Sequence, residues 1–493
     1  MTDPRDADFG TLPDLIRGHA AADPAGTAFI VGEERLNWGD LDTRLDRIAG
    51  ALQARGIERG DRVAVCAGTS IAYASLFLGV MRAGACIAPI APSSTPAQIA
   101  AMVADSGAKL YFTDPGVVAD PVAAPTIDLT DDGWIGDHPF TPVAIRPSDA
   151  FNIIYSSGTT GTPKGIVHSH AMRWQHIAAG AKLGYDRSAV TLLSTPLYSN
   201  TTMASFLPGV AGGGTTVMMQ KFEAGEYLRL AATHGMTHTM LVPVQYRRVM
   251  ALPDFGTYDL SRTLLKFATS APFQAALKAD VLARWPGGLI EYFGMTEGGG
   301  LCVLIAHLHP DKLHTVGRPA PGHEMRVLAD DGTELPLGEV GEIVGHSTAT
   351  MTGYHNQPGK TAEAQWTAPD GRVFMRTGDV GRFDVDGFLT LMDRKKDMII
   401  SGGFNIYPSD LEAVLMEHPA VVEAAVVGVP SDAWGETPVA FVVLREGVDL
   451  KSWANERLGK TQRLHAVEVV DALPRSAIGK VLKRELRDGW ASS

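Results

Sequence analysis

The chain has 493 residues, 45% of them hydrophobic and 20% charged, as is typical of a globular protein of about two to four domains. Its formal net charge of -12 argues against a general nucleic-acid binder. The three cysteines, Cys66, Cys86 and Cys302, include no Cys-x-x-Cys pair, so they indicate neither a zinc site nor a disulfide framework. We therefore expect core or pocket-wall cysteines in a reducing cytoplasm, and the polar, acidic N-terminus does not resemble a signal peptide.

Residues 1–150 alternate between helical and strand patterns. Apolar residues recur at helical spacing between Leu41 and Leu52, which predicts an amphipathic helix. Short apolar runs at 62–66, 86–90 and 110–113 predict strands, and their alternation with helical stretches predicts a mostly parallel sheet covered by helices. The proline-rich segment 114–147 reads as a long connection.

One stretch is long and apolar enough to be checked as a membrane span. Residues 63–81 carry no charge, but Gly68, Thr69 and Ser70 divide them. We therefore predict a strand, a turn and a buried helix, and no stable association with a membrane.

The pattern resumes at Phe151 and changes twice further on. Apolar strands separated by helical lengths over residues 151–293 predict a second array of strands and helices. From about His323, Asp-Gly turns predict a small β-rich subdomain. Beyond the charged run 393–397, about a hundred residues predict a small α+β domain.

Residues 155–165 read Tyr-Ser-Ser-Gly-Thr-Thr-Gly-Thr-Pro-Lys-Gly. Glycines allow backbone N–H groups to turn inward, hydroxyls add donors, and Lys164 adds a positive charge, so the segment suits phosphate oxygens. It is not a Walker A loop, because Lys164 is followed by glycine. Taken alone, a mobile surface loop explains the segment equally well.

Other candidate residues are ambiguous when taken singly. Glu297 follows a predicted strand end, where a carboxylate could hold magnesium on a nucleotide or simply cap a helix. Asp379 could accept hydrogen bonds from ribose or lie in a turn, and Lys480 could be a solvated loop lysine. His168 and His170 would share a face of a strand, but no third metal ligand is evident, so we do not predict a metal site there.

The order and spacing of six motifs carry more weight than any single residue. The motifs are 155–165, 292–297, 376–379, 393–408 with Ser-Gly-Gly-Phe-Asn-Ile-Tyr-Pro, 432–436 and 474–480. Together they resemble the adenylate-forming superfamily, in its acyl-CoA synthetase form, over nearly the whole chain. The resemblance implies an α/β fold with a large N-terminal domain (1–393) of two parallel-sheet subdomains and a β-barrel-like subdomain, a hinge (394–396) at Lys396, and a small mobile α+β C-terminal domain (397–493).

The resemblance also implies an ATP-dependent carboxylic acid–CoA ligase that forms an acyl-adenylate and rotates its C-terminal domain between half-reactions. ATP, Mg²⁺, coenzyme A and a small carboxylic acid are the implied ligands, and a homodimer is left open. The implied catalytic residues are Lys480, Thr296 and Glu297, and Glu297 is the implied metal ligand. The implied nucleotide-binding residues are Ser156, Ser157, Gly158, Thr159, Thr160, Gly161, Thr162, Lys164, Ser270, Ala271, Pro272, Phe293, Asp379 and Arg394. The implied CoA tunnel is Ser401, Gly402 and Gly403.

The acid pocket is where the chain departs from the family pattern. Its implied lining is Tyr198, Ser199, Asn200, Thr201, Tyr246, Tyr292 and Gly298. Ser199 replaces a gating histidine, Glu291 replaces a glutamine, and Tyr292 stands where hydroxycinnamate ligases often have glycine. This mixture favours an aromatic or otherwise functionalised acid over a plain long chain.

Three other functions remain open. A freestanding adenylating enzyme could load a carrier protein instead of CoA. A luciferase-like oxygenating enzyme is disfavoured by the Gly402-Gly403 loop and the missing peroxisomal tripeptide. A non-catalytic nucleotide-binding regulator is disfavoured because binding alone would not require Lys480.

Overall fold

The structure is a computed structural model that describes residues 3–156, 164–394, 396–401, 404–431, 434–459, 462–476 and 479–491. The strands are β1 (Thr27–Val31), β2 (Glu34–Asn37), β3 (Arg62–Cys66), β4 (Cys86–Pro89), β5 (Leu110–Thr113), β6 (Thr126–Asp128), β7 (Ala150–Ser156), β8 (Lys164–Ser169), β9 (Val190–Leu193), β10 (Thr215–Met218), β11 (His238–Leu241), β12 (Leu265–Ala268), β13 (Gly288–Gly294), β14 (Leu301–Ile305), β15 (Arg318–Pro319), β16 (Glu324–Leu328), β17 (Gly341–His346), β18 (Gly353–Tyr354), β19 (Gln365–Thr367), β20 (Val373–Phe383), β21 (Leu389–Arg394), β22 (Ile399–Ser401), β23 (Phe404–Ile406), β24 (Val421–Ser431), β25 (Gly435–Leu444) and β26 (Ala466–Val469).

The helices are α1 (Leu12–Ala22), α2 (Trp38–Ala54), α3 (Ile71–Arg82), α4 (Pro96–Ser106), α5 (His170–Ala181), α6 (Asn200–Gly212), α7 (Ala224–His234), α8 (Pro243–Met250), α9 (Ala275–Arg284), α10 (Pro358–Glu363), α11 (Pro408–Met416), α12 (Leu450–Asn455) and α13 (Lys483–Ala491). Packing divides the chain into two compact units. Unit 1 holds residues 1–313, 320–323 and 346–375, and unit 2 holds 314–319, 324–345 and 376–493. The two units are defined by packing alone and do not locate a hinge, so the hinge at 394–396 stays a prediction.

Unit 1 contains two sheets of mainly parallel strands, as the sequence predicts. In one, the order runs β14-β13-β12-β11-β9-β10-β1-β2, with antiparallel pairs at both ends. In the other, the order is β18-β8-β7-β4-β3-β5-β6. The sequence analysis does not identify β1 and β2 as strands, and it places the strand at Phe151 in the later array. In the structure β1 and β2 join the later sheet, whereas β7 and β8 join the earlier one, because long-range packing decides the pairing.

Helices α3 and α6 link the two sheets through aromatic contacts. Phe29 of β1 stacks on Phe206 of α6 at 6.1 Å between ring centroids, and Phe206 meets Phe77 of α3 edge to face at 6.0 Å. Phe77 in turn contacts Phe151 of β7 at 6.2 Å. These rings are fully or almost fully buried, so they fix the spacing between the sheets that carry the candidate site.

The apolar segment 63–81 has the predicted form. It comprises most of β3, a turn, and all of α3 except Arg82, and the hydroxyl of Ser70 accepts the N–H of Tyr73 as the N-cap of α3. In the described part of the chain, no helix is both long and apolar enough to cross a membrane. Cys66, Cys86 and Cys302 are buried free thiols, in line with the prediction of core positions.

Unit 2 contains an antiparallel sheet in the order β23-β22-β25-β24, with β26 parallel to β25. The sequence predicts a helix at 409–417, strands at 421–428 and 439–444 and a helix near Leu450, and α11, β24, β25 and α12 lie there. The sequence reading missed β22, β23, β26 and α13, which are short or follow loops. β20 and β21 pair as a hairpin whose turn contains Asp386 and Gly387, as predicted from that dipeptide.

The segment 114–147 is more ordered than a simple connection. β6 pairs in parallel with β5, and the rest packs against α2, where Arg44 binds Asp132 and Gln53 exchanges hydrogen bonds with the backbone of Thr141. A Cβ on Gly50 of α2 would overlap the carbonyl oxygen of His138. The segment therefore lies directly on the helix and needs a glycine beneath it.

This contact gives a stability test with two helical glycines. Gly50→Ala should destabilise the protein by about 1–3 kcal/mol through overpacking. Gly18→Ala, in α1 with open space around it, should instead stabilise it by about 0.5–1 kcal/mol. Urea unfolding followed by tryptophan fluorescence measures both. Equal shifts for the two variants would contradict the proposed close packing of 137–145 on α2.

Candidate active site

The glycine- and threonine-rich loop joins two antiparallel strands. β7 and β8 pair so that Tyr155 lies opposite Gly165 and Ser156 opposite Lys164. Ser157, Gly158, Thr159, Thr160, Gly161 and Thr162 fall outside the described residues, and their proposed contacts with phosphates stay predictions. The loop therefore leaves one strand and returns directly on its neighbour.

Tyr354 connects Lys164 with Glu297. The Tyr354 hydroxyl donates a hydrogen bond to Oε1 of Glu297 at 2.7 Å, and Nζ of Lys164 lies 5.0 Å from the centre of the Tyr354 ring. β18 places Tyr354 there by pairing with β8 opposite Ile166. Sequence reasoning missed this tyrosine, since no local signal marks it and the strand pairing is long-range. Lys164 of the loop and Glu297, the predicted metal ligand, thus both contact Tyr354.

The donor set around Glu297 suits a magnesium ion. Its carboxylate supplies hard oxygen ligands, and Mg²⁺ is usually held by one or two carboxylates together with waters and substrate phosphates. Among the described residues no cluster of three or more metal-binding side chains exists. A single carboxylate therefore fits an ion bound mainly through nucleotide phosphates and does not fit a metal cage made by the protein alone.

Thr296 is held by a buried hydrogen-bond network. Nε2–H of His168 donates to the Thr296 carbonyl oxygen at 2.7 Å, which leaves Nδ1 of the ring as an acceptor. Nδ1 accepts from Nη2 of Arg173 at 2.8 Å and from the amide of Asn152 at 3.1 Å. Burial and the adjacent Arg173 hold the pKa of His168 well below its usual range. The ring is therefore a neutral structural bridge between Thr296 and Arg173.

Arg173 extends the network to the predicted acid pocket. Its Nε donates to Asn152 at 3.0 Å, and its Nη2 also donates to Oδ1 of Asn200 at 2.9 Å. The side chain is 2% exposed, and burial lowers its pKa to about 9. Sequence reasoning did not single out Arg173 or Asn152, because neither lies in a recognisable motif.

The start of α6 meets the end of β12 at the pocket. Ser199 caps α6 by accepting the N–H of Thr201, and Oγ1 of Thr201 lies 2.6 Å from Oγ of Ser270. Ser270 has a φ of 80°, which is uncommon for a residue with a side chain. The structure thus brings the predicted acid-pocket residue Thr201 against the predicted adenine-side residue Ser270, and Ser199 has a local capping role.

The tyrosines predicted for the pocket differ in their surroundings. Tyr292 stacks on Phe267 at 5.7 Å, and its carbonyl accepts from Thr269, which ties the ends of β12 and β13 together. Tyr246 is fully buried and its hydroxyl donates to the Phe267 carbonyl at 2.9 Å. Burial raises the pKa of Tyr198, and Ser93, which follows β4 of the other sheet, opposes that shift. Their contacts with a substrate stay predictions.

Gly298 sits in the tight turn after Glu297. Its φ of 73° favours glycine, and a Cβ would collide with the carbonyl of Ala349. Ala271 is half-buried and Pro272 exposed after Ser270, while Phe293 on β13 is only 9% exposed. A glycine is therefore required at 298 by the backbone itself, whatever the substrate.

Beneath β13 lies a buried ion pair between Glu291 and Lys278 of α9. Both side chains are almost inaccessible, and Lys278 contacts Oε2 of Glu291 while donating to the Leu313 carbonyl at 2.8 Å. Burial raises the pKa of Glu291 to about 7, against the opposing effect of Lys278. Glu291 thus points into the core and supports the strand that carries Tyr292.

A second group of predicted residues lies within unit 2. Asp379 of β20 faces Arg394 of β21, with Oδ1 3.0 Å from Nε. Burial raises the pKa of Asp379, while Arg394 and Lys480 oppose that shift. Lys480 follows Gly479, whose φ is 76°, and burial lowers its pKa to about 8, helped by the nearby cations of Arg394 and Lys396. The structure therefore gathers these residues into one cationic cluster with a carboxylate.

The predicted hinge and tunnel border this cluster along the chain. Asp393 accepts from the N–H of Ser409 at 2.9 Å, which fixes the start of α11. Lys396 is exposed, and Ser401 pairs with Phe404 and Gly435. Gly402 and Gly403 lie outside the described residues. Their role in a tunnel stays a prediction.

Comparison with known proteins places this geometry among nucleotide-dependent ligases. Residues 16–355 match the family model described as AMP-binding enzyme, and 410–480 match the AMP-binding enzyme C-terminal domain. The chain is 32% identical to the fatty acid–[acyl-carrier-protein] ligase ScoC of Streptomyces coeruleorubidus, over 98% of this chain and 97% of ScoC. It is 32% identical to 4-coumarate–CoA ligase 5 of Oryza sativa subsp. japonica, over 92% and 89%.

Its fold matches that of ATP-bound MatB from Rhodopseudomonas palustris with a TM-score of 0.86 at 28% identity, covering 97% of this chain and 99% of MatB. The similarity therefore extends over both the large and the small domain models, and the α/β fold expected from the sequence is confirmed.

The buried ion pair gives a second stability test. Glu291→Gln should destabilise the protein by about 3 kcal/mol, because it leaves Lys278 charged and buried without its counter-ion. Asp280→Asn removes a carboxylate from the exposed pair with Arg284 on the same helix, and should cost about 0.5 kcal/mol or less. Urea unfolding compares the two. The interpretation is wrong if Glu291→Gln is as mild as the control.

Proposed function

The chain belongs to the family of AMP-binding enzymes, and from this premise we propose that it is an ATP-dependent carboxylic acid–CoA ligase. It converts acid, ATP and CoA to acyl-CoA, AMP and diphosphate through an acyl-adenylate. The observation that carries this proposal is the position of Lys480, a half-buried lysine in the same charged cluster as Asp379 and Arg394. Nucleotide binding alone would not need that cation, whereas joining two anions does.

In the first half-reaction, a carboxylate oxygen of the acid bonds to the α-phosphorus of ATP. The bond from that phosphorus to the bridging oxygen breaks, and diphosphate leaves. Lys480 offsets the negative charge where the carboxylate and the α-phosphate meet. Thr296 donates its hydroxyl to the α-phosphate, and the His168 bond to its carbonyl keeps the backbone there in place.

Glu297 would hold magnesium, which supplies positive charge to the phosphate oxygens when bound. Its hydrogen bond from Tyr354 orients the carboxylate, and the same ring faces Lys164. Lys164 and residues 156–162 would bind the β- and γ-phosphates through their N–H, hydroxyl and ammonium donors. Tyr354 therefore couples the metal ligand to the phosphate loop.

The remaining nucleotide contacts are proposed from the chemistry of the side chains. Ser270, Ala271 and Pro272 would line the adenine together with the ring of Phe293. Asp379 would accept hydrogen bonds from the ribose hydroxyls, and Arg394 pairs with it. Burial raises the pKa of Asp379, and the neighbouring Arg394 and Lys480 oppose that shift and favour the carboxylate form.

In the second half-reaction, a thiol sulfur bonds to the acyl carbon and AMP leaves with the bond electrons. Ser401, Gly402 and Gly403 would line the path of the thiol, because glycine lets backbone approach a ligand closely. The C-terminal domain (397–493) would rotate against 1–393 about a hinge at Lys396, carrying Lys480 away after adenylation.

Coenzyme A is the proposed acceptor, since 4-coumarate–CoA ligase 5 is 32% identical to this chain. Loading of a carrier protein is the second candidate, because ScoC, which is equally similar, is named as an acyl-carrier-protein ligase. Thioester formation with CoA and with a holo-carrier protein, measured side by side, separates the two. A cytoplasmic location and a homodimer also remain our proposals, the latter to be checked by sedimentation.

The proposed acid is aromatic or otherwise functionalised. Tyr292 stacks on Phe267 at the end of β13, and the polar side chains of Asn200 and Thr201 at the start of α6 lie beside Arg173 and Ser270, respectively. Such a lining offers both ring contacts and hydrogen bonds.

Diphosphate release tests the activity and the acid class together. The protein, ATP and Mg²⁺ are assayed with acetate, octanoate, palmitate, benzoate and ferulate at equal concentration, with and without CoA. We expect release that depends on the acid, rises with CoA, and is fastest with an aromatic acid. A clear preference for palmitate would contradict the pocket assignment, and no release with any acid would contradict the ligase.

The role of Lys480 is tested by separating the half-reactions. Lys480→Ala should slow ATP–diphosphate exchange by about 100- to 1000-fold, because a preorganised charge is lost. Transfer to CoA from added acyl-AMP should remain close to that of the parent protein. An equal loss in both assays would overturn the domain rotation.

A pH profile of the exchange reaction provides a further readout. Lys480 is a cation below its pKa of about 8, so adenylation should lose rate as pH rises through that value. Lys480→Arg keeps its charge and should shift the decline to higher pH, if the longer side chain is tolerated.

A further inference from the structure

Arg173 is a buried cation that contacts Asn200, a residue predicted to line the acid pocket. Its side chain is 2% exposed, and its guanidinium lies against Asn152, His168 and Asn200. Asn200 precedes Thr201, which contacts Ser270. Arg173 therefore lies two contacts from the adenine side of the site and one contact from the pocket lining.

Two of the three guanidinium nitrogens of Arg173 donate hydrogen bonds to described residues. Nε donates to Asn152, and Nη2 donates to His168 and Asn200. A guanidinium has five N–H donors, and within the described ranges Nη1 donates to no protein group and no carboxylate forms an ion pair with the side chain. All three partners are neutral, because burial keeps the His168 ring unprotonated.

Other buried cations in unit 1 have either a carboxylate partner or an acceptor for each N–H. Arg82 pairs with Asp42 and Asp46, and Lys278 pairs with Glu291. Lys266 has no carboxylate but donates to three carbonyl oxygens, those of Trp285, Pro286 and Gly287, one for each N–H of its ammonium. Arg173 thus differs in having both an unbalanced charge and unused donors.

The surroundings of Arg173 add further positive character. The N-terminus of α6, a helix from Asn200 to Gly212, meets the guanidinium through Asn200 itself. Helix N-termini favour negative charge. A buried, incompletely bonded guanidinium beside such an end is unfavourable in water-free surroundings unless an anion joins it.

We propose that Arg173 receives a second carboxylate of the acid substrate through its Nη1 edge, so that the enzyme activates one carboxylate of a dicarboxylic acid. This inference rests on the proposed ligase function and narrows the functionalised acid to one class.

A second carboxylate of the substrate is a better partner for Arg173 than the carboxylate that reacts with ATP. The reacting carboxylate loses its charge on forming the acyl-adenylate, which would leave Arg173 unbalanced again while the adenylate waits for the thiol. A remote carboxylate keeps its charge through both half-reactions. The reacting group already has Lys480 as its proposed cation.

Matched acid pairs test the inference on the full chain. ATP–diphosphate exchange is measured with hexanoate and adipate, decanoate and decanedioate, and benzoate and isophthalate, each over a concentration range. The parent protein should favour the diacid in at least one pair by tenfold or more in kcat/KM. Arg173→Leu should lower kcat/KM for that diacid about a hundredfold more than for the matched monoacid, as loss of a buried charge partner does. Both acids also lose rate, because the bond from Arg173 to His168 helps to position Thr296.

Two further variants keep the result interpretable. Arg173→Lys retains the charge and should recover part of the diacid activity. Lys266→Met removes a buried cation elsewhere in unit 1 and should affect both acids of a pair equally. If Arg173→Leu does not fold, the parent's preference and Arg173→Lys decide the matter. Thermal unfolding with and without diacid gives a readout independent of turnover, and diacid should stabilise the parent more than Arg173→Leu.

The outcomes separate the two proposals. Equal activity on diacid and monoacid in every pair overturns the inference while leaving the ligase intact. An equal loss on both acids in Arg173→Leu also overturns it, because Arg173 would then serve the reacting carboxylate or the fold. No exchange with any acid overturns the ligase, and stabilisation by diacid that disappears in Arg173→Leu would then still support the binding site.

Discussion

The hydrogen-bond network of His168, Arg173 and Asn152 is the interaction on which the candidate site depends. It joins the β7–β8 pair, the first turns of α5 and α6, and the backbone at Thr296 in one buried set of bonds. Buried polar groups specify a single arrangement because each unmade bond is costly. The network therefore fixes the position of Thr296 relative to the pocket more strictly than apolar packing could.

The same site shows how the protein manages charge. A chain with a net charge of -12 gathers Lys164 near Glu297, and Lys480 near Asp379 and Arg394. Each cluster holds both signs, so substrate anions can enter without meeting a uniform negative field. Burial then adjusts individual groups, as in the lowered pKa of Lys480 and the raised pKa of Asp379.

Several residues that contact no substrate in our proposal stabilise the site. The ion pair between Glu291 and Lys278 anchors β13 in the core, and the packed rings of Phe206 and Phe77 set the spacing between the two sheets. Gly298 allows the turn after Glu297 to pass Ala349. Substrate specificity would thus depend on the residues that line the pocket. The buried ion pair and the aromatic packing keep the strand ends that carry those residues in place.

The sequence by itself determined the family, the α/β class, most of the parallel strands of unit 1, and the candidates Lys164, Thr296, Glu297, Asp379, Arg394 and Lys480, because ordered motifs and apolar periodicity are local signals. Only the tertiary structure decided that β1 joins the later sheet and β7 the earlier one, that Tyr354 bridges Lys164 and Glu297, and that Arg173 lies unbalanced beside Asn200. These features arise from pairing and packing between residues far apart in the chain. No local pattern encodes which distant partner a buried polar side chain will meet.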